Sequence, residues 1–246
     1  MLESPGGNQD SKISSSARQG RITARPRAIL VESERGLRPL WVNGNQVGVL
    51  YVARTYQPGI PAPLALLLHE AGGNAQQGLG LLINLADDTG MILAAVDSVH
   101  ATWDVIAAEY GPDVERVDRV LAQIFAEYNI DDEHLAIGGF SDGASYALSL
   151  GLGNGDLFSH VIAFSPGFIA ATTEIGKPSI FVSHGTQDRA LPIDQTSRRL
   201  VPRLRRDGYS TEYLEFDGAH SVPPAVTVAA VGWFLPMQMT MPRSAA

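Results

Sequence analysis

Residues 134–150, "HLAIGGFSDGASYALSL", pass from an apolar run to a helix of small residues through a single serine, Ser141. The run "HLAIGGF" has the composition of a buried strand, and "DGASYALSL" that of a helix packed closely on its neighbours. At a sharp strand-to-helix turn the residues two positions either side of the apex crowd against it and must be very small. Gly139 and Gly143 occupy those positions. The pattern therefore predicts that Ser141 sits on such a turn with its hydroxyl at the carboxyl end of a strand. The N–H of Asp142, opening the helix, would point where a developing oxyanion sits.

Working outward, the same alternation fills the chain. "QVGVLYVA" (46–53), "APLALLLH" (62–69), "MILAAVD" (91–97), "HVIAFSP" (160–166), "SIFVSHG" (179–185) and "STEYLEF" (210–216) are strand-like, with helical segments between them. One of these helices, read from Pro112 and Asp113 as start signals, places Val114, Val117, Val120, Leu121, Ile124 and Phe125 on one face. Apolar strands alternating with amphipathic helices predict an α/β fold, a mostly parallel sheet covered on both faces, with its site at the carboxyl ends of the strands. Residues 1–25 are rich in Ser, Gly, Gln and Arg. They are expected to form a flexible extension whose removal leaves stability unchanged, ahead of a single domain over 26–246.

Composition removes several function classes. A net charge of −8 lacks the basic excess that phosphate contacts need, so no nucleic-acid partner is expected. No run reaches the roughly 18 apolar residues of a membrane span, and "MLESPGGNQD" has no apolar signal core, so a cytoplasmic location is expected. The absence of cysteine excludes disulfides, thiolate metal sites and a cysteine nucleophile. No homo-oligomer interface is legible.

A serine hydroxyl needs a base, and the base an orienting acid. His134 and His160 stand at strand starts, the wrong edge of the sheet, and His100 precedes the serine, against the Ser, Asp, His order of this kind of fold. His69 and His184 end strands beside the site and read best as scaffolding. His220, in "DGAHSVPP" after the last strand, is the candidate base. Asp188, in "SHGTQDRALPI", is the candidate acid; Glu215 and Asp217 lie too near His220 in sequence, and Asp194 suits a helix start.

The segments "LLLHEAGGNAQQ", "TWDVI…YGPDV", "IGGFSDGASYALSLGL", "FVSHGTQDRALPI" and "FDGAHSVPP" together resemble the phospholipase/carboxylesterase family of α/β-hydrolases, over roughly residues 40 to 235. The resemblance implies Ser141, Asp188 and His220 as a catalytic triad and the backbone N–H groups of Ala71 and Asp142 as the oxyanion hole. It implies a serine carboxylesterase acting on small esters without metal or organic cofactor. The rival activities are thioester or lysophospholipid cleavage, and a non-catalytic binding module of the same fold. Glu70 departs from the family's usual glycine, and its side chain is expected to point into solvent or toward an arginine. Only the short "GFIAATTEIG" separates the sixth strand from the seventh, so the cleft is expected to be open. His69, Glu70, Trp103 and Tyr110 are candidates to line it, with core filling the alternative for the two aromatics.

Overall fold

In the computed structural model, which describes residues 13–29, 34–107 and 109–236, the alternating segments become one eight-stranded sheet. The strands are β1 (Gly36–Val42), β2 (Asn45–Val52), β3 (Ala62–Leu68), β4 (Ile92–Val96), β5 (Ile130–Phe140), β6 (His160–Phe164), β7 (Ser179–Gly185) and β8 (Thr211–Phe216). Their order is β1-β2-β4-β3-β5-β6-β7-β8. From β3 to β8 all run parallel, and β2 runs antiparallel to both of its neighbours. The helices are α1 (Ser15–Arg18), α2 (Ala75–Gly80), α3 (Ile83–Thr89), α4 (Asp104–Ala107), α5 (Pro112–Glu127), α6 (Asp142–Gly153), α7 (Ser197–Arg206) and α8 (Pro224–Phe234).

β3 shows why both faces are covered. Its residues are all buried, and the two-residue strand period sends Leu64, Leu66 and Leu68 to the face carrying α5, α6 and α7. Ala65 and Leu67 go to the face carrying α2, α3 and α8. Each leucine so buried contributes about 2 kcal/mol of transfer free energy. The predicted face of α5 is buried as a unit, Val114 through Phe125. The helical segment between β3 and β4 is divided into α2 and α3, with Leu82 (φ −127°) at the break.

Two differences from the sequence expectations matter. β1 was not among the strands read from the sequence: Pro39 interrupts it, and Leu37 and Trp41 are exposed. It is an edge strand, where a proline needs no ladder partner. The second concerns the N-terminus. Of the expected flexible extension, residues 1–12 lie outside the described residues, but residues 13–25 pack against the body. Ser14 caps α1 through the Ala17 N–H, and Ala17 and Ile22 are buried. The strap is pinned by polar groups far away in sequence. Arg21 and Arg25 pair with Asp156, and the N–H groups of Thr23 and Ala24 both donate to Asp118 Oδ1 at 2.7 Å. The fully buried Asn154 accepts from the Ile22 N–H at 2.8 Å and donates to the Gly20 carbonyl at 2.7 Å.

Deleting residues 1–25 therefore lowers stability. Exposing the surface under Ile22 and Ala17 and stripping partners from Asn154 costs about 3 kcal/mol or more. In a domain of this size that is a fall of about 5–10 °C in melting temperature. Thermal unfolding of the truncated chain checks this, and an unchanged midpoint would mean that the strap contributes nothing.

Candidate active site

Ser141 occupies the turn between β5 and α6 with φ 57° and ψ −118°, a conformation that costs an L-residue about 1–3 kcal/mol. Its N–H donates to the Phe164 carbonyl of β6 at 2.9 Å. The flanking glycines leave no room for anything larger. A Cβ on Gly143 would lie 2.2 Å from the Leu68 carbonyl oxygen and 2.5 Å from that of His69, and one on Gly139 would lie 2.6 Å from both Leu68 O and Gly143 C. The end of β3 is thus pressed directly against the turn, and the segment following β3 comes to lie beside Ser141.

The loops after β7 and β8 converge on the same place. The Thr186 N–H donates to Phe216 O at 2.8 Å and the Gln187 N–H to Gly218 O at 2.9 Å. Gly185 permits the contact, since a Cβ there would meet the Gly218 and Ala219 carbonyls at 2.4 Å. His220 is held so that Ser141 Oγ donates to its Nε2 at 2.8 Å while its Nδ1–H donates to Asp188 Oδ2 at 2.6 Å. Phe140 braces the imidazole, ring centroids 4.6 Å apart. The Asp188 carboxyl is buried, and its Oδ1 accepts the Ala190 and Leu191 N–H groups at 2.9 and 2.8 Å. Burial alone would raise its pKa, but the Leu191 N–H and His220 outweigh that and hold it below the usual carboxylate value.

His184 is buried behind this carboxyl. Its Nε2–H donates to Leu191 O at 2.8 Å and stands 3.2 Å from Asp188 Oδ2, while Nδ1 accepts from Ser197 Oγ at 2.7 Å. Burial lowers its pKa, against the opposing pull of the Leu191 carbonyl and Asp188, which keeps it a neutral scaffold. Nothing in the sequence pointed to Ser197 as the group that sets this tautomer.

On the other side of Ser141, the segment 69–73 is fastened to the loop after β4. His69 Nε2 accepts from the Ser98 N–H at 3.0 Å and its Nδ1–H donates to Glu70 O at 2.6 Å. Trp103 Nε1 donates to His69 O at 3.0 Å, and the Gly72 N–H to Ala101 O at 2.6 Å. Thr102 Oγ1 donates to Asp142 Oδ2 at 2.7 Å, tying the same loop to the residue after Ser141. Among the described residues, neither the Ala71 nor the Asp142 N–H has a hydrogen-bond partner. The loop is itself moored by two buried carboxylates. Asp113 accepts the Val99 and Asp104 N–H groups, and Asp104 accepts from Gly111, Asp113 and the Tyr146 hydroxyl. Burial pushes Asp113 up to about 6, helped by the nearby Asp104 charge and opposed by the Val99 N–H.

The structure gathers Ser141, Asp188 and His220 and leaves other candidates out. Trp103, expected as a cleft wall or as core, is fully buried and stacks on Tyr146 with centroids 5.1 Å apart. Tyr110 is likewise buried, and His69 is 2% exposed, so none of the three lines an open cleft. The reason is the inward fold of the 97–111 loop around Asp104 and Asp113. Glu70 is half-buried, and among the described residues its carboxylate makes no hydrogen bond or ion pair, so the arginine partner considered for it is absent. His134 pairs with Asp131, and His160 packs against Trp233 and Phe234 with its pKa lowered to about 4 by burial and by His134. Among the described residues no His, Asp and Glu groups cluster as a metal site, and no helix is long and apolar enough to cross a membrane.

A model of the family described as Phospholipase/Carboxylesterase matches residues 108–234. The chain belongs to that family. The match includes Ser141, Asp188 and His220; Glu70 and Ala71 lie outside it. Among curated relatives of this phospholipase/carboxylesterase family member, "Putative esterase NocK" of Nocardia uniformis subsp. tsuyamanensis is 26% identical over 200 residues. The match covers 70% of this chain and 57% of NocK, so the chain spans little more than half of that relative's length. Solved structures share the α/β-hydrolase fold at low identity. Esterase PE8 superposes with a TM-score of 0.63 at 22% identity, covering 76% of this chain and 96% of its own. FphF, a fluorophosphonate-binding serine hydrolase of Staphylococcus aureus, gives 0.64 at 12%, covering 81% and 97%. The Bacillus cereus carboxylesterase gives 0.58 at 17%, covering 75% and 92%.

Proposed function

We propose that this protein is a serine carboxylesterase that hydrolyses small or short-chain esters through an acyl-enzyme, with Ser141 as nucleophile, His220 as base and Asp188 as the orienting acid. The observation that carries this reading is the unbroken hydrogen-bonded chain from Ser141 Oγ through His220 to Asp188, set on a turn of positive φ. His220 takes the Ser141 proton as Oγ attacks the ester carbonyl, then returns it to the leaving alcohol. Asp188, kept ionised by its N–H donors, holds the proton-bearing Nδ1 in place and stabilises the imidazolium. Water deacylates the serine by the same steps. The partnerless N–H groups of Ala71 and Asp142 serve the tetrahedral oxyanion, each such donor lowering the barrier by about 3 kcal/mol.

Short acyl groups are favoured because, among the described residues, no helix stands between β6 and β7 to enclose a long alkyl chain. In stopped-flow hydrolysis of nitrophenyl acetate and nitrophenyl octanoate, the acetate should give a burst of nitrophenol equal to the enzyme concentration and the higher kcat/KM. A folded enzyme that releases nitrophenol from neither ester would overturn the assignment.

Glu70 enters this mechanism through its backbone, whose carbonyl accepts the Gly73 N–H at 3.0 Å and the His69 ring N–H. Glu70→Gln should therefore keep turnover of neutral short-chain esters within about threefold of the parent, less than 1 kcal/mol of barrier. A hundredfold loss in a folded variant would give the carboxylate a direct part in the chemistry.

A further inference from the structure

Asp188 and Arg189 are consecutive, yet their side chains part company. The Asp188 carboxyl is buried under His220, whereas Arg189 is exposed on the rim. Arg189 and His220 border the same cleft, of about 820 Å³. Among the described residues most lysines and arginines are engaged by a carboxylate or a backbone carbonyl, as Arg198 is by Glu215 and Arg116 by the Asp97 carbonyl. Arg18, Arg27, Arg35 and Arg189 make no such contact among those residues, and of these it is Arg189 that borders the cleft with His220. Nearby acids are already committed: Asp188 to its N–H donors and His220, Glu215 to Arg198, and Asp217 to the Gln187 side-chain amide. The guanidinium therefore presents its N–H donors to whatever enters the cleft.

Chemistry identifies which part of the substrate that is. On the acyl-enzyme reading, His220 Nε2 takes the Ser141 proton and gives it to the leaving oxygen, so that oxygen must come within hydrogen-bond reach of Nε2. The remainder of the alcohol then extends into the space bordered by His220, where Arg189 stands. We propose that the site selects esters whose alcohol portion carries an anionic oxygen group, a carboxylate or a phosphate, seated on Arg189. Guanidinium is matched to either by paired N–H···O bonds. The protein's overall charge of −8 opposes anions at long range, so such a preference has a local source. The proposal rests on the acyl-enzyme reading, and its test separates the two.

The probes are meta-(acetoxymethyl)benzoate, meta-(acetoxymethyl)phenyl phosphate and the neutral meta-(acetoxymethyl)benzamide, which share an acyl group and a benzylic leaving oxygen. For the wild-type chain, kcat/KM for at least one anionic ester should exceed that of the neutral one by about fivefold, chiefly through KM, the effect of one well-placed but solvated charge pair. The anionic-to-neutral ratio should fall to near unity in Arg189→Gln, invert in Arg189→Glu, and shrink with added salt. Whichever anionic ester shows the larger Arg189-dependent ratio identifies carboxylate or phosphate as the group recognised. A ratio that is the same in all three proteins overturns the proposal while leaving the esterase reading intact. Absence of turnover on all three esters, together with no burst on nitrophenyl acetate, overturns the esterase reading itself.

Discussion

Replacing Ser141 with alanine should lower kcat for ester hydrolysis by at least about 10⁴-fold while leaving the fold unchanged. The side chain is half-buried, and among the described residues its only hydrogen bond is the one to His220 Nε2, so its loss removes the nucleophile without opening the core. His220→Ala should cost a similar factor, because a serine hydroxyl without its base is almost inert. The double variant should be no worse than either single one, since both changes disable the same step. Steady-state kinetics on nitrophenyl acetate, with circular dichroism to verify folding, reads all three. Additive losses in the double variant would show that the two residues act independently, contrary to the hydrogen-bonded chain.

The second large effect is on stability. Gly143→Ala places a methyl group 2.2 Å from the Leu68 carbonyl oxygen and 2.5 Å from that of His69. Neither oxygen is free to retreat. Leu68 is locked in the sheet opposite Gly139, and the His69 carbonyl is held by Trp103. The variant must push α6 away from β3 or distort the turn at Ser141, at a cost of about 4 kcal/mol or more. A fall of more than about 10 °C in melting temperature is expected, with activity lost before unfolding. Gly80→Ala is the matched control: a Cβ there meets nothing within 4 Å, so its midpoint should hardly move. Equal stability of the two variants would show that the close approach at Gly143 is not real.

These predictions come from the part of the molecule that was most legible in sequence. A glycine two residues on either side of a serine is a local steric requirement, and the strand and helix it joins are marked by local periodicity. The buried face of α5 and the continuous apolar runs of β3 and β4 were readable for the same reason. What escaped depends on contacts between distant residues. The N-terminal strap looks polar because its anchors, Asp118, Asn154 and Asp156, lie far along the chain and are satisfied only in the fold. Trp103 and Tyr110 could be read either as cleft wall or as core, because the carboxylates that draw their loop inward gave no local sign of being buried; the fold makes them core. β1 did carry a missed signal. Val42-Asn43-Gly44-Asn45 holds an Asn-Gly pair, and both central residues have positive φ, 53° and 78°, as a two-residue hairpin loop requires.

The site divides along the same line. The order Ser, Asp, His and the position of each on a strand's carboxyl edge picked out Ser141, Asp188 and His220, which the fold brings within hydrogen-bond distance. The groups that hold them, Ser197 behind His184 and Thr102 on Asp142, are ordinary hydroxyl residues whose roles exist only in three dimensions.

The central claim is that Ser141 is an activated nucleophile, and covalent labelling by a fluorophosphonate tests it most directly. Mass spectrometry of the treated wild-type chain should show one phosphonyl group per molecule, on the peptide containing Ser141, and none on the Ser141→Ala variant. A folded wild-type chain that stays unlabelled, or a Ser141→Ala variant labelled as fully as the parent, would contradict the account.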